Sequence, residues 1–163
     1  MGEKTNINLT EFLNQQYLCE AMTTREVQTL LEFTEEVKFK KNEIIADIGE
    51  VGEALYFVVE GEAALLQHAE GETVEIGRAK QGGMIGSMSF FDRQPRSVRI
   101  IAMSDNTRLI RLSRTMYARL RIEHPFIAVN LLEDAIVSLD ALFRRVSQDV
   151  AAFSRYVYGG KMR

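Results

Sequence analysis

Between residues 8 and 34 apolar positions recur at near-helical spacing: Leu9, Phe12, Leu13 and Tyr17, then Val27, Leu30 and Leu31. Thr23-Thr24-Arg25-Glu26 precedes the second group in the form of a capping box, where a hydroxyl and a carboxylate three residues apart satisfy each other's main-chain N–H. Short amphipathic helices are therefore predicted over 8–34. From Glu36 the period falls to two. Val37 and Phe39 alternate with charged residues, Lys41-Asn42-Glu43 makes a turn, and Ile44-Ile45 opens the next strand. Leu55–Val59, Ala63–Leu66 and Thr73–Ile76 are short β-type runs set between glycines, and Ser97–Met103 and Thr107–Leu112 flank a turn at Asp105-Asn106. Strands this short and this evenly punctuated predict a sandwich or barrel.

The third zone is helical. Ser113 can cap a helix carrying Met116, Tyr117 and Leu120, which ends at His124. Pro125 suits the first position of the next helix, where its missing N–H is not needed, and that helix is predicted to run to Tyr158 before Gly159-Gly160. Leu132, Ile136, Leu139, Phe143, Val146, Val150, Phe153 and Val157 follow alternating steps of four and three. A 3.5-residue repeat held over three heptads is what a helix-to-helix seam needs. A short barrel could cover only the first half of the helix, so these eight positions predict a parallel homodimer interface.

The chain of 163 residues, 46% apolar and 26% charged, is long enough for one sizeable core. Its zones (helices 8–34, roll 36–112, short helix 113–124, long helix 125–158) form one domain. No apolar run reaches membrane-spanning length and no signal-type stretch opens the chain, so a cytoplasmic protein without membrane contact is expected. Twenty basic against twenty-three acidic residues leave a net charge of −3, which disfavours nucleic-acid binding by this chain. One cysteine and two distant histidines leave no framework for disulfides, a metal centre or another cofactor, and no paired nucleophile and base suggests an enzyme. Cys19 reads as a packing residue, His68 as solvated in a turn over Gln67–Gly71, and His124 as a helix-end residue.

Charge is unevenly distributed. Glu43–Arg78 holds nine acidic residues and one basic, whereas Gln81–Ile100 holds Arg93, Arg96 and Arg99 against Asp92 alone. The cationic stretch coincides with the glycine-rich run Gln81-Gly82-Gly83-Met84-Ile85-Gly86-Ser87-Met88-Ser89. Glycines let main-chain N–H groups approach a ligand, Ser87 can cap a helical turn through Phe90-Phe91, and Pro95 stiffens the approach to Arg96. Amides at such a turn beside a guanidinium fork make a phosphate-sized anion site. Phe90 and Phe91 read as anchors of that turn to the core.

The run Gly49-Glu50-Val51-Gly52-Glu53-Ala54-Leu55-Tyr56-Phe57-Val58-Val59-Glu60-Gly61-Glu62, the segment from Gly82 to Arg96-Ser97, and the long terminal helix stand in a telling order. Over Glu36–Tyr158 they resemble the second hairpin, phosphate-binding cassette and hinge helix of a cyclic-nucleotide-binding domain of the Crp/Fnr and kinase-regulatory-subunit superfamily. The resemblance implies a mainly β fold with flanking helices: an eight-stranded antiparallel jelly roll (double-stranded β-helix) plus a long C-terminal dimerisation helix. It also implies a site for cAMP, cGMP or a related phosphate-bearing effector. Arg96 would neutralise the cyclic phosphate, followed by the hydroxyl of Ser97, with Ile85, Gly86, Ser87, Met88 and Ser89 forming the cassette. The base would lie between Ile76 and Gly77 on the barrel wall and Ser138 and Leu142 on the long helix.

Two positions depart from the family pattern. Ser87 stands where a glutamate would accept a bond from the ribose 2′-hydroxyl, and Gly83 stands where an aspartate is frequent. A neutral hydroxyl forgoes about 1–2 kcal/mol relative to a charge-assisted bond, roughly tenfold in affinity. Phosphate recognition is thus better supported than ribose recognition. Arg99 replaces a small residue and either extends the cationic island or points to solvent. Only five residues follow Tyr158, too few for the DNA-reading helix-turn-helix of the family's transcription factors. The chain is therefore expected to be an isolated sensor domain or one cut at that boundary. Two functions compete: a regulatory sensor signalling through its dimer helix, and a ligand-free dimerisation or scaffold module with a degenerate cassette.

Overall fold

A computed structural model of the chain describes residues 8–14 and 22–159. The side chains of Phe12 and Leu13, all of Tyr17 and Cys19, and the tail from Gly160 lie outside the described residues. Helix α1 (Leu9–Asn14) is short, and α2 (Thr24–Glu32) begins on the expected capping box. Glu26 N–H donates to Thr23 Oγ1 at 3.2 Å and Thr23 N–H to Glu26 Oε2 at 2.7 Å.

Eight antiparallel strands follow: β1 (Glu35–Phe39), β2 (Ile44–Ala46), β3 (Ala54–Glu60), β4 (Ala63–Ala69), β5 (Glu72–Ala79), β6 (Met84–Ile85), β7 (Val98–Ala102) and β8 (Thr107–Ser113). They form two four-stranded sheets, in the orders β1-β8-β3-β6 and β2-β7-β4-β5. Val58, Ile85, Ile100 and Leu109 fill the space between the sheets. The alternate residues of the central strands, Leu55, Phe57 and Val59 on β3 and Ile110 and Leu112 on β8, join the helices in a second core cluster. Burial on both faces is why β3 reads as an unbroken apolar run rather than an alternation. Strand β6 has only two residues between glycine turns and gives no periodic signal of its own.

One local expectation is corrected in the β4–β5 hairpin. Strand β4 continues to Ala69 and pairs it with Glu72, so the turn is the dipeptide Glu70-Gly71 alone. Both residues have positive φ, 52° and 84°, the mirror-image geometry that fits the twist of a two-residue hairpin. His68 therefore lies on the strand, exposed, with Nδ1 2.8 Å from Thr73 Oγ1.

Ser113 caps α4 (Arg114–Glu123) by accepting Met116 N–H at 3.2 Å. His124 then separates it from α5 (Pro125–Tyr158), 34 residues with proline in the first turn, and sets its ring edge-on to Phe33 at 5.6 Å. Only the start of α5 is buried, at Ile127, Ala128, Asn130, Leu131 and Ala135, where its apolar residues join the cluster built with α2, α4, β3 and β8. Full burial of Ile127 and Leu131 stabilises the docked helix by about 1.5–3 kcal/mol each. The predicted seam occupies a different face. Leu132, Ile136, Phe143, Val146, Val150, Phe153 and Val157 are exposed, Phe143 by 72%, while Leu139 is half-buried.

Candidate functional site

The two sheets, α3 (Ser87–Asp92) and the middle of α5 enclose a cavity of about 720 Å³. Every residue the sequence placed at a ligand site lines it. Ile76 and Gly77 come from β5, Ile85 from β6, and Gly86, Ser87, Met88 and Ser89 from the turn into α3. Arg96 and Ser97 come from the segment ahead of β7, and Ser138 and Leu142 from α5.

The geometry of the turn corrects one detail. Gly86, at φ 87°, is the N-cap of α3, and Ser87 is its first helical residue. A left-handed entry favours glycine, so the helix starts without a side-chain cap. The first N–H groups of α3 lack intrahelical acceptors, as at any helix start. Ser87 is 7% exposed and contributes a small hydroxyl to the cavity wall.

The cassette is locked to the β2–β3 loop by a chain of polar contacts. Gly52 N–H donates to Ser89 Oγ at 2.7 Å, and Ser89 Oγ–H donates to the Gln94 carbonyl at 2.6 Å. Arg114 donates to the carbonyls of Gly52 and Phe90 and lies 4.5 Å from the centre of the Phe90 ring. Phe90, buried, packs edge-on to Phe91 and Tyr117, so these aromatics anchor α3 to the core and do not line the cavity.

Gly52 sits too close to this assembly to carry a side chain. A Cβ there would lie 2.7 Å from the Phe90 nitrogen, 2.8 Å from Arg96 Nη2 and 2.9 Å from the Ser89 carbonyl carbon. Gly52→Ala is expected to cost about 1–3 kcal/mol in urea unfolding, because main-chain atoms must move to admit the methyl group. Gly77→Ala is the control: its Cβ would meet nothing within 4 Å, and unchanged stability is expected.

Arg96 is fixed through its backbone. Its N–H donates to the Glu50 carbonyl and its carbonyl accepts from Gly49 N–H, both at 2.8 Å. The side chain reaches the cavity half-buried, and its one hydrogen bond among the described residues is a long 3.5 Å contact from Nη1 to the Gly86 carbonyl. Among the described residues no carboxylate lies within 4.0 Å of it. Burial pushes its pKa below the ordinary arginine value, against weaker opposing pulls from Tyr56 and Glu50. The guanidinium nonetheless stays protonated. A desolvated cation without an acidic partner is stabilised by any anion that enters beside it.

The other arginines of the cationic stretch do not join Arg96. Arg99 is committed to Asp47, with Nε donating to Oδ1 at 2.7 Å, and its hydrogen bond holds the Asp47 carboxyl below the usual range. Arg93 is the exposed C-cap of α3 and does not line the cavity. The second arginine of the cavity not held by a carboxylate among the described residues is one that sequence reasoning passed over. Arg145 continues the α5 stripe Ala135–Ser138–Leu142 by one further step of three and lies at the cavity's edge. Its helical spacing was a signal available in the sequence. Arg78 also borders the cavity, but Glu62 and Glu75 hold it, each at 2.9 Å.

Residues 36–124 match the model of the family described as Cyclic nucleotide-binding domain. The chain is 28% identical over 145 residues to the Cyclic AMP receptor protein of Thermus thermophilus, covering 84% of this chain and 67% of that protein. The crystal structure of Thermus thermophilus Catabolite Activator Protein superposes with a TM-score of 0.71 at 27% identity, over 85% of this chain but only 64% of that one. A cyclic nucleotide-binding domain from Methylobacillus flagellatus superposes at a TM-score of 0.77 and 23% identity, covering 88% of this chain and 81% of that one, which supports the fold. The family match covers more than half of the sequence, and with the two-sheet roll, the cassette turn and the long helix in place, the chain belongs to the cyclic nucleotide-binding domain family as a Crp/Fnr-like domain.

Proposed function

We propose that this domain is a regulatory sensor that binds a cyclic nucleotide or a related phosphate-bearing effector in the cavity between the roll and α5. The observation that carries this reading is the Arg96 guanidinium, half-buried, facing the cavity and without a carboxylate partner among the described residues. Its fork suits two oxygens of a phosphate, with the cassette amides beside it. Calorimetric titration of the chain with cAMP and cGMP tests the proposal. Saturable binding in the micromolar range is the expected result, and heat absent up to millimolar nucleotide would overturn it.

The response would leave through α5. Thirteen of its residues lie beyond Arg145, roughly 20 Å of helix that the roll does not cover. An isolated helix of that length with an apolar seam is marginal in water, which supports pairing with a second copy along that seam. Regulation requires the ligand to favour one arrangement of α5 over another.

A second reading, a ligand-free dimerisation module, is favoured by Ser87, which provides no carboxylate for a ribose hydroxyl. Ser87→Glu separates the two. On the sensor reading it tightens cAMP or cGMP about tenfold by restoring a charge-assisted bond. The gain should vanish with the 2′-deoxy analogues, and an unchanged affinity for the parent nucleotides would show that the ribose never reaches this position.

A further inference from the structure

The cavity contains, besides Arg96, a cation that sequence reasoning did not use. Arg145 projects from α5 to the wall formed by β5, where Nη2 lies 3.5 Å from the Ile76 carbonyl, too long for a strong hydrogen bond. The nearby Glu75 carboxylate is taken by Arg78, which donates to both of its oxygens at 2.9 Å. Arg145 makes no ion pair within 4.0 Å among the described residues. It shares the cavity wall with Ser138 and Leu142, across from Ile76 and Gly77, the side on which the resemblance to cyclic-nucleotide-binding domains puts the base.

The polar groups there differ in what they can distinguish. The Ser138 hydroxyl donates and accepts, so it bonds adenine and guanine alike. A guanidinium only donates, through a planar fork. Guanine presents two acceptors side by side, O6 and N7, which match that fork. Adenine presents N7 beside the N6 amino group, a donor that would face another donor.

Resting on the cyclic-nucleotide reading above, we infer that Arg145 is a specificity-determining residue that selects guanine, so the preferred effector is a guanine cyclic nucleotide rather than cAMP. The site selects at its edge, through a residue of α5, so choice of base and position of the signalling helix depend on the same side chain.

The test is competitive titration of the chain and of Arg145→Gln with cGMP, cAMP and inosine 3′,5′-cyclic monophosphate, with circular dichroism to check the fold. The chain is expected to bind cGMP about tenfold more tightly than cAMP, because the contact is solvent-exposed and lies at the lower end of bidentate discrimination. The inosine nucleotide keeps O6 and N7 and lacks only the 2-amino group, so it should bind like cGMP. Glutamine pairs in two-point fashion with adenine N6 and N7, so Arg145→Gln should abolish or reverse the preference. Equal or tighter binding of cAMP by the chain, or a ratio unmoved by Arg145→Gln, overturns the assignment while leaving the sensor reading intact. An inosine nucleotide that binds as weakly as cAMP overturns it as well, by assigning selection to the 2-amino group. If no nucleotide binds, the sensor reading fails and this inference falls with it.

Discussion

Replacing Arg96 by alanine is expected to weaken cyclic-nucleotide binding about a hundredfold, the loss of a two-point, charge-assisted contact in a partly desolvated site. The fold should survive, because the hydrogen bonds through which Arg96 ties the loop to Gly49 and Glu50 are main-chain bonds that alanine also makes. Thermal stability should be unchanged or slightly raised. Burial disfavours this cation, no carboxylate among the described residues lies within 4.0 Å of it, and its bond to the Gly86 carbonyl is long, so removing it takes away more cost than contact. Arg96→Lys supplies the intermediate case. A point charge replaces the fork, and about a tenfold loss is expected. Calorimetry and a melting curve on the same samples read both effects. A variant that still folds and binds as tightly as the parent chain would remove Arg96 from the site and, with it, the main support for phosphate recognition.

What the sequence disclosed was governed by local chemistry. The Thr23–Glu26 capping box, the Ser113 cap and the start of α5 at Pro125 each depend on residues within three or four positions, and each lies where the spacing predicts. All eleven predicted cavity residues also converge, because a family pattern encodes a tertiary arrangement that periodicity cannot. The failures come from contacts distant in sequence and from geometry finer than the pattern. Arg99 looked available for an anion until Asp47, 52 residues away, claimed it. Ser87 has the chemistry of a cap, yet the left-handed Gly86 takes that place one residue earlier. His68 looked like a turn residue because the hairpin needs only Glu70 and Gly71 to reverse the chain. Arg145 was overlooked for a related reason: its significance depends on the Ile76 carbonyl, 69 residues away.

The separation of two faces on α5 leads to the second large effect. Ser138, Leu142 and Arg145 line the cavity, whereas Phe143 and Val150 on the exposed seam do not. The double variant Phe143→Glu, Val150→Glu is expected to convert a dimer of 18.5 kDa chains into monomers at micromolar concentration, read by sedimentation equilibrium. In a parallel pair each glutamate would face its own copy across the seam. Like charges there, with partial desolvation, cost several kcal/mol, more than enough for about a hundredfold loss of association. Leu139 is left alone because it lines the cavity, and a change there would mix the two readouts. A monomeric parent chain would overturn the seam directly. If ligand binding shifts the pairing of α5, linkage requires pairing to shift ligand affinity by the same factor. The double variant should therefore bind nucleotide with an altered affinity although no cavity residue has changed. An identical affinity in dimer and monomer would show that α5 carries no signal between the cavity and the seam, even if both exist.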